Sequence, residues 1–303
     1  MQNLCKLLLS KTAGILMLCF LLLTGCEKDV NINLQSSPPQ LVVQGVIENN
    51  QPPYVILNTT FGFFSTVDFS TVQNSFVHGA VVKVSDGIKT ITLKEYTLDT
   101  AGGNKFFVYS VDTINPANVI FGQLGKIYSL SINYNGNTYS SVTKIPFPKG
   151  LDTVWFGAPV ISRPSTPTNA LEMFGNYTDP DTIGNYVKYF TRRNNEPFYP
   201  GGIFTDELVN GKTVGNVDLF AGVPDNSSSS SDSSLYYYPG DSVVLKWCEV
   251  DKGVYDFWNT YEFAIRSGGN PFSSPMNVKT NITNGALGVW AGYGAVYYNL
   301  IAH

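Results

Sequence analysis

The chain is organised as short β-type segments separated by turn residues. Segments 80–84 and 88–93 flank Asp86-Gly87, and a second pair of segments flanks Asn135-Gly136. Both dipeptides suit the positive φ angles of two-residue turns, so each pair of segments is predicted to form a β-hairpin. Apolar and polar residues alternate in the first pair, which is typical of strands with one face on a core and the other in water. The protein is therefore predicted to be mainly β.

Two prolines in Ile145-Pro146-Phe147-Pro148 interrupt this pattern, because proline cannot donate a hydrogen bond to a β-ladder. We predict a domain boundary at this point. About seven short strands before it favour an immunoglobulin-like β-sandwich over 40–146. A second β-rich domain is predicted over 151–303, with its longer strands near 154–156, 185–192, 242–250 and 287–298.

One segment, 251–267, has helical periodicity. Asp251 can cap its start and Gly268-Gly269 can end it. We predict an amphipathic helix packed across a sheet, because an aromatic stripe at helical spacing is most simply a buried face. The alternative makes Trp258 and Tyr261 a platform for a ligand. The stripe consists of Val254, Phe257, Trp258, Tyr261 and Ile265.

The N-terminus has the order of a bacterial lipoprotein signal. Two lysines precede an apolar run of about eleven residues, which is too short to span a bilayer but suits a secretory signal. Leu23-Thr24-Gly25-Cys26 follows and matches a lipobox. We predict that 1–25 is removed as a signal peptide, that Cys26 is lipidated, and that 26–39 is the tether. The alternative is an ordinary buried cysteine after a short core helix.

Cysteine and charge content limit the remaining possibilities. Removal of the signal peptide takes away Cys5 and Cys19, so no disulfide can form within one mature chain once Cys26 carries lipid. Cys248 lies in a strand-like run and is predicted to be a packed thiol rather than a nucleophile. The loss of two lysines changes the formal charge from −4 to −6, and an acidic chain without basic runs argues against nucleic-acid binding.

Histidine is scarce, since only His78 and His303 occur. A Ser-His-Asp or Cys-His site would have to use His78, and no G-x-S-x-G motif accompanies it. Neither H-E-x-x-H nor C-x-x-C occurs, which removes the common zinc sites, and no P-loop or dinucleotide fingerprint is present. The sequence thus predicts no catalytic residue, no metal and no cofactor.

Carboxylates are the remaining candidates for chemistry. Paired acids can hydrolyse glycosides or bind calcium, but adjacency in sequence does not set the separations that these functions need. For Asp179 and Asp181 the alternative is a turn whose side-chain oxygens satisfy its own backbone. The acidic pairs are Asp179-Pro180-Asp181, Asp206-Glu207 and Glu249-x-Asp251.

The C-terminal segment is rich in glycine and aromatic residues. Glycines at 285, 288, 292 and 294 allow tight bends or close approach of a backbone. We predict a bulged strand that closes the sheet of the second domain. The alternative is a docking edge or cleft in which Trp290 and Tyr293, together with Trp258 of the helix, contact a ligand or partner.

Several short stretches occur in a recognisable order along the chain: Glu27-Lys28-Asp29 after the lipobox cysteine, Leu41 to Gly45, and segments 78–86, 125–130 and 281–293. Together they resemble domain-of-unknown-function family 4249, a group of Bacteroidota outer-membrane lipoproteins. The acidic triplet also resembles an export tag of surface-displayed lipoproteins. The resemblance implies exposure at the cell surface and genes near TonB-dependent receptors, and it implies no catalytic residue.

These observations favour a non-enzymatic lipoprotein, anchored in the outer membrane, that serves as an accessory or ligand-binding partner of a TonB-dependent uptake system. One alternative is a surface hydrolase of glycans or peptides that uses Asp179, Asp181, Asp206 or Glu207. Another is an adhesive or structural surface module that needs no soluble ligand.

Overall fold

The computed structural model describes residues 38–61, 68–100, 103–115, 119–161, 164–222, 235–268 and 276–303. The predicted signal peptide 1–25, the predicted lipidation site Cys26 and residues 26–37 of the predicted tether 26–39 lie outside these ranges. The protein is mainly β, as predicted.

Fifteen strands and two helices lie within the described residues. The first half contains β1 (Leu41–Glu48), β2 (Tyr54–Thr59), α1 (Phe69–Ser75), β3 (Val81–Ser85), β4 (Thr90–Thr92), β5 (Lys94–Asp99), β6 (Lys105–Ser110), β7 (Ile127–Tyr134) and β8 (Asn137–Lys144). The second half contains β9 (Thr153–Gly157), β10 (Glu172–Thr178), β11 (Tyr186–Arg193), β12 (Tyr199–Thr205), β13 (Thr213–Leu219), β14 (Ser242–Val250), α2 (Lys252–Ser267) and β15 (Leu287–Ile301).

Both predicted hairpins are confirmed. β3 pairs with β4 in antiparallel register, with Lys83 opposite Thr92, and Gly87 in the connecting turn has φ +87°. β7 pairs with β8, and both residues of the Asn135-Gly136 turn have positive φ. The positive φ angles that these turn residues tolerate thus allow the chain to reverse direction within each hairpin.

The central element is an eight-stranded sheet with the order β12-β11-β14-β15-β1-β2-β6-β5. Its middle is the parallel pair β1 and β15, in which Gly45 lies opposite Trp290. Strands from both sides of the predicted boundary at 146–151 therefore share one sheet. The division into two domains and the immunoglobulin-like arrangement of the first stay predictions.

Two smaller sheets pack against the eight-stranded sheet. The four-stranded sheet β4-β3-β7-β8 contributes Val82, Leu130 and Ile132 to a core that also contains Val43, Val55 and Trp290. The three-stranded sheet β13-β10-β9 contributes Met173 and Leu219 to a second core around Tyr189, Leu245 and Trp247. These apolar residues of the two smaller sheets lie on the faces that meet the eight-stranded sheet, because side chains alternate between the two faces of a strand.

The predicted helix is confirmed as α2, which begins after Asp251 and ends at Ser267. The Asp251 carboxylate accepts the Val254 N–H at 3.0 Å, and its other oxygen accepts from the Thr143 hydroxyl of β8 at 2.6 Å. Val254 is buried, whereas Ile265 at the far end of the stripe is 46% exposed. The helix therefore buries its N-terminal half against the central sheet most completely. Gly269 lies outside the described residues.

Candidate functional site

A cavity of about 710 Å³ opens where strands β10 to β13 meet the C-terminal part of α2. This volume falls in the range of about 300 to 1,000 Å³ that is usual for small-ligand sites. Aliphatic and aromatic side chains form much of the wall, including Ile203, Phe204 and Phe220. Four charged side chains also line it: Glu172, Asp218, Glu262 and Arg266.

Glycine shapes one wall of this cavity. The Tyr189 ring of β11 lies so close to the β12 backbone that a Cβ at Gly201 would be 2.0 Å from the Tyr189 Cε2. No larger residue fits there without movement of the ring. The β11–β12 ladder also shifts its register between Lys188 and Phe190. The edge strand β12 can therefore follow the ring closely, and its residues 200–204 line the cavity.

Two carboxylates, Glu172 of β10 and Asp218 of β13, lie on the same face of the three-stranded sheet. Asp218 is opposite Phe174 in the antiparallel register, so Glu172 is its diagonal neighbour. Glu172 is 3% exposed, and one of its oxygens accepts the Val160 N–H at 2.8 Å. The Asp218 Oδ1 is buried and has no hydrogen-bond partner in the described part of the chain.

The electrostatic surroundings of Asp218 are unfavourable to charge. Burial, and then the negative charge of Glu172, raise the pKa of Asp218 to about 6. No Lys or Arg side chain of the described ranges forms an ion pair with either carboxylate. Within the described ranges, therefore, no basic side chain is paired with the negative charge of these two carboxylates.

The third carboxylate, Glu262 of α2, is neutralised by two basic side chains. Its Oε1 lies 2.7 Å from the Nζ of Lys188, and its Oε2 lies 3.2 Å from the Arg266 guanidinium. Lys188 is fully buried, also donates to the Gly201 carbonyl at 2.6 Å, and lies 4.5 Å from the centre of the Trp258 ring. The negative charge of the cavity is therefore concentrated at Glu172 and Asp218.

Comparison with known families assigns the chain to one of them. The family model described as Domain of unknown function (DUF4249) matches residues 27–297, which is most of the sequence. The chain belongs to this family. The resemblance inferred from the motifs is therefore correct at the level of the family, which brings no assigned chemistry with it. No curated protein matches the chain.

The aromatic residues predicted to contact a ligand are not cavity residues in this member of DUF4249. Trp290 is fully buried, and its indole N–H donates to the Tyr128 carbonyl at 3.1 Å. Tyr293 is also buried, and its hydroxyl accepts from the indole N–H of Trp258 at 2.9 Å. Trp258 is a residue of α2; it is half-buried, and its ring contacts the Lys188 ammonium. A direct role of the three in ligand contact stays a prediction.

Three of the predicted acidic residues, Asp179, Asp206 and Glu249, come together in a buried cluster away from the cavity. All are at most 5% exposed, and Asp206 accepts the N–H groups of Gly184 and Asn185 at 2.7 and 2.9 Å. Burial, and then the charges of Asp179 and Asp206, raise the pKa of Glu249 to about 8. Burial likewise raises the pKa of Asp179. The cluster thus favours the protonated, uncharged form of Glu249 at neutral pH.

The other polar residues singled out from sequence lie elsewhere. Asp181 and Glu207 are exposed, and Asp251 caps α2. His78 is exposed and pairs with Glu95 at 2.5 Å. Cys248 is fully buried, and burial raises the pKa of its thiol to about 12, which confirms the prediction of a packed thiol.

Two kinds of feature are absent from the described residues, a metal-site arrangement of side chains and a membrane-spanning helix. In those ranges, no group of three or more His, Cys, Asp or Glu side chains has the arrangement of a metal site. Among the helices of the same ranges, none combines the length and the apolar character needed to cross a membrane.

Glu172 and Asp218 were missed by the sequence analysis. Each is a single acid on a strand, without the adjacent partner that drew attention to the acidic pairs. The alternation of side chains along a strand was the available signal. Glu172 precedes buried Met173 and Asp218 precedes buried Leu219, so each acid must lie on the strand face opposite to its apolar neighbour. Alternation cannot show that the two strands are neighbours.

Proposed function

We propose that the protein is a non-enzymatic lipoprotein anchored in the outer membrane through Cys26. It binds a small ligand in its cavity and serves as the partner of a TonB-dependent transporter. The observation that carries the binding function is the cavity itself, with about 710 Å³ of space and two carboxylates that pair with no basic side chain of the described ranges. Buried polar groups without partners are costly and are satisfied when a ligand binds.

The anchoring part of the proposal rests on the lipobox and on the charged residues after it. Acyl chains contribute about 0.8 kcal/mol for each methylene buried in the bilayer, so several of them hold a protein on the membrane stably. A tethered ligand-binding body next to a transporter raises the local concentration of the ligand at the entry to the channel.

The partner is tested by affinity purification of the tagged, lipidated protein from its native outer membrane in mild detergent. We expect a TonB-dependent receptor in stoichiometric amount, identified by mass spectrometry. A protein carrying Cys26→Ser serves as the control, because it is expressed without the anchor. Reproducible recovery of the protein alone would contradict the proposed partnership.

Hydrolysis of a glycan or peptide is the second candidate, and one observation favours it. Asp218, with its pKa raised to about 6, lies next to Glu172 in the cavity, and a carboxyl group with such a raised pKa can donate a proton to a leaving group at mildly acidic pH. The carboxylates first considered from sequence do not line this cavity. A screen of glycans and peptides should then reveal turnover that Asp218→Asn removes, and a screen without turnover rejects this candidate.

A further inference from the structure

We propose that the cavity selects a ligand that carries an organic cation, a primary ammonium or a guanidinium, and that Glu172 and Asp218 together bind this group. The inference rests on the proposed ligand-binding function and specifies the chemical class of the ligand. It depends on the charge, the aromatic walls and the hydrogen bonds of the cavity.

The three carboxylates of the cavity differ in their charged neighbours. Glu262 is already paired with Lys188 and Arg266, so it offers little further attraction to a cation. Glu172 and Asp218 are diagonal neighbours without a basic partner among the described residues, so a bound cation would relieve their mutual repulsion. A neutral ligand such as a sugar would leave that repulsion in place.

One oxygen of the Asp218 carboxylate, Oδ1, is buried and accepts no hydrogen bond from a described residue. One oxygen of Glu172, by contrast, is already occupied by the Val160 N–H. An ammonium or guanidinium supplies several N–H donors from one group and forms charge-assisted hydrogen bonds, which are stronger than neutral ones. The open acceptor capacity of the site therefore matches a cationic donor.

The walls suit the remainder of such a ligand. Tyr189, Phe204, Phe220 and Tyr236 line the cavity, and Phe220 is 48% exposed. Aromatic faces attract cations within about 6 Å and also pack against apolar groups. The combination of paired carboxylates and aromatic rings therefore suits a ligand with a cationic end and an apolar or aromatic body.

Protonation of Asp218 makes the selection dependent on pH. Among the described residues, the titratable and charged groups that line the cavity with it are Glu172 of β10, Tyr189 of β11, Glu262 and Arg266 of α2, and Tyr236. Since the pKa of Asp218 is about 6, the carboxylate is charged above that pH and neutral below it. The preference for a cation should therefore be present at neutral pH and decrease on acidification.

The test uses two probes with the same ring, tyramine, which carries an ammonium, and tyrosol, which carries a hydroxyl in its place. Their affinities for the full lipidated chain in nonionic detergent are measured by saturation-transfer NMR titration. At about pH 7.5 we expect tyramine to bind about tenfold more tightly than tyrosol. The ratio should fall towards one at about pH 5, where Asp218 is protonated.

Variants assign the effect to the cavity. Asp218→Asn and Glu172→Gln should each lower the affinity for tyramine about tenfold and leave that for tyrosol unchanged. The matched control is Asp99→Asn at an exposed position of β5, which should change neither affinity. Ile161→Trp adds bulk at a cavity residue that is 64% exposed, and it should weaken both probes.

The outcomes separate this inference from the proposed function. Equal affinity for the two probes, lowered alike by Ile161→Trp, would overturn the cation preference and support ligand binding in the cavity. A cation preference that Asp218→Asn and Glu172→Gln leave intact would also overturn it. Binding of neither probe would overturn both proposals.

Discussion

Lys188 of β11 and Glu262 of α2 form an ion pair of 2.7 Å, and the side chain of Lys188 is completely excluded from solvent. The pair joins β11, the neighbour of the edge strand β12 in the central sheet, to α2 at the wall of the cavity. A buried ammonium is tolerated because its charge is compensated and its donors are occupied.

Replacement of Glu262 by Gln should therefore destabilise the protein by roughly 3 to 5 kcal/mol, because the buried Lys188 charge loses its ion pair with Glu262. The free energy of unfolding is measured by urea denaturation. Arg266 is the other partner of Glu262, and its side chain is 76% exposed. Arg266→Gln should therefore cost about 1 kcal/mol or less. Equal losses for the two variants would contradict the importance of the buried pair.

Gly288 should be irreplaceable at the junction of β15 with β1. Its φ is +99°, and a Cβ there would lie 1.9 Å from the Val43 carbonyl oxygen. Gly288→Ala should lose about 3 kcal/mol or more, because both backbone strain and a clash oppose it.

Gly285→Ala provides the matched control for Gly288, since Gly285 also has positive φ but nothing lies within 4 Å of its Cβ position. It should lose only about 1 to 2 kcal/mol, the cost of the left-handed conformation alone. Thermal unfolding of both variants tests the difference. A Gly288→Ala protein as stable as Gly285→Ala would argue against the β1–β15 pairing.

Stability should fall as the pH rises from about 5 to about 9. Glu249 has a folded-state pKa raised from 4.5 to about 8, so the folded protein binds a proton that the unfolded chain has released, and this stabilisation is lost across that interval. Glu249→Gln should weaken the dependence and raise the melting temperature at the alkaline end. Exposed Glu207→Gln is the control and should preserve the slope. The melting curves are recorded with a chelator present, and a slope of opposite sign would refute the assignment.

Cys26 should determine how the protein partitions between phases. Wild-type protein is expected in the detergent phase and in the membrane fraction, because acyl chains hold it there. Cys26→Ser should move it to the aqueous fraction, with the N-terminal mass checked by mass spectrometry. The matched change Cys248→Ser alters a buried thiol and should leave the partitioning as in the wild type. Membrane retention of Cys26→Ser would contradict lipidation at this site.

Local features of the fold could be predicted closely. The helix predicted over 251–267 is observed as Lys252–Ser267 with Asp251 as its cap, and both predicted hairpins form around their Gly-containing turns. These elements depend on interactions between residues a few positions apart, such as the hydrogen bond from the Val254 N–H to Asp251.

The candidate site could not be predicted in the same way. The search for paired acids in sequence led to Asp179, Asp206 and Glu249, which form a buried cluster, whereas the cavity acids Glu172 and Asp218 are 46 positions apart. They become neighbours only through the pairing of β10 with β13. Trp290, predicted as a contact residue, is fully buried because β15 lies in the middle of the central sheet.

The amino-acid sequence by itself determined the mainly β character, the positions of the turns, the one long helix and the membership in DUF4249. Turn preferences and side-chain periodicity act over a few residues and can be read directly. Only the tertiary structure decided that β1 pairs with β15 and that Glu172 meets Asp218 at the cavity. Strand pairing depends on the packing of whole faces between distant segments, and no local pattern specifies which faces meet.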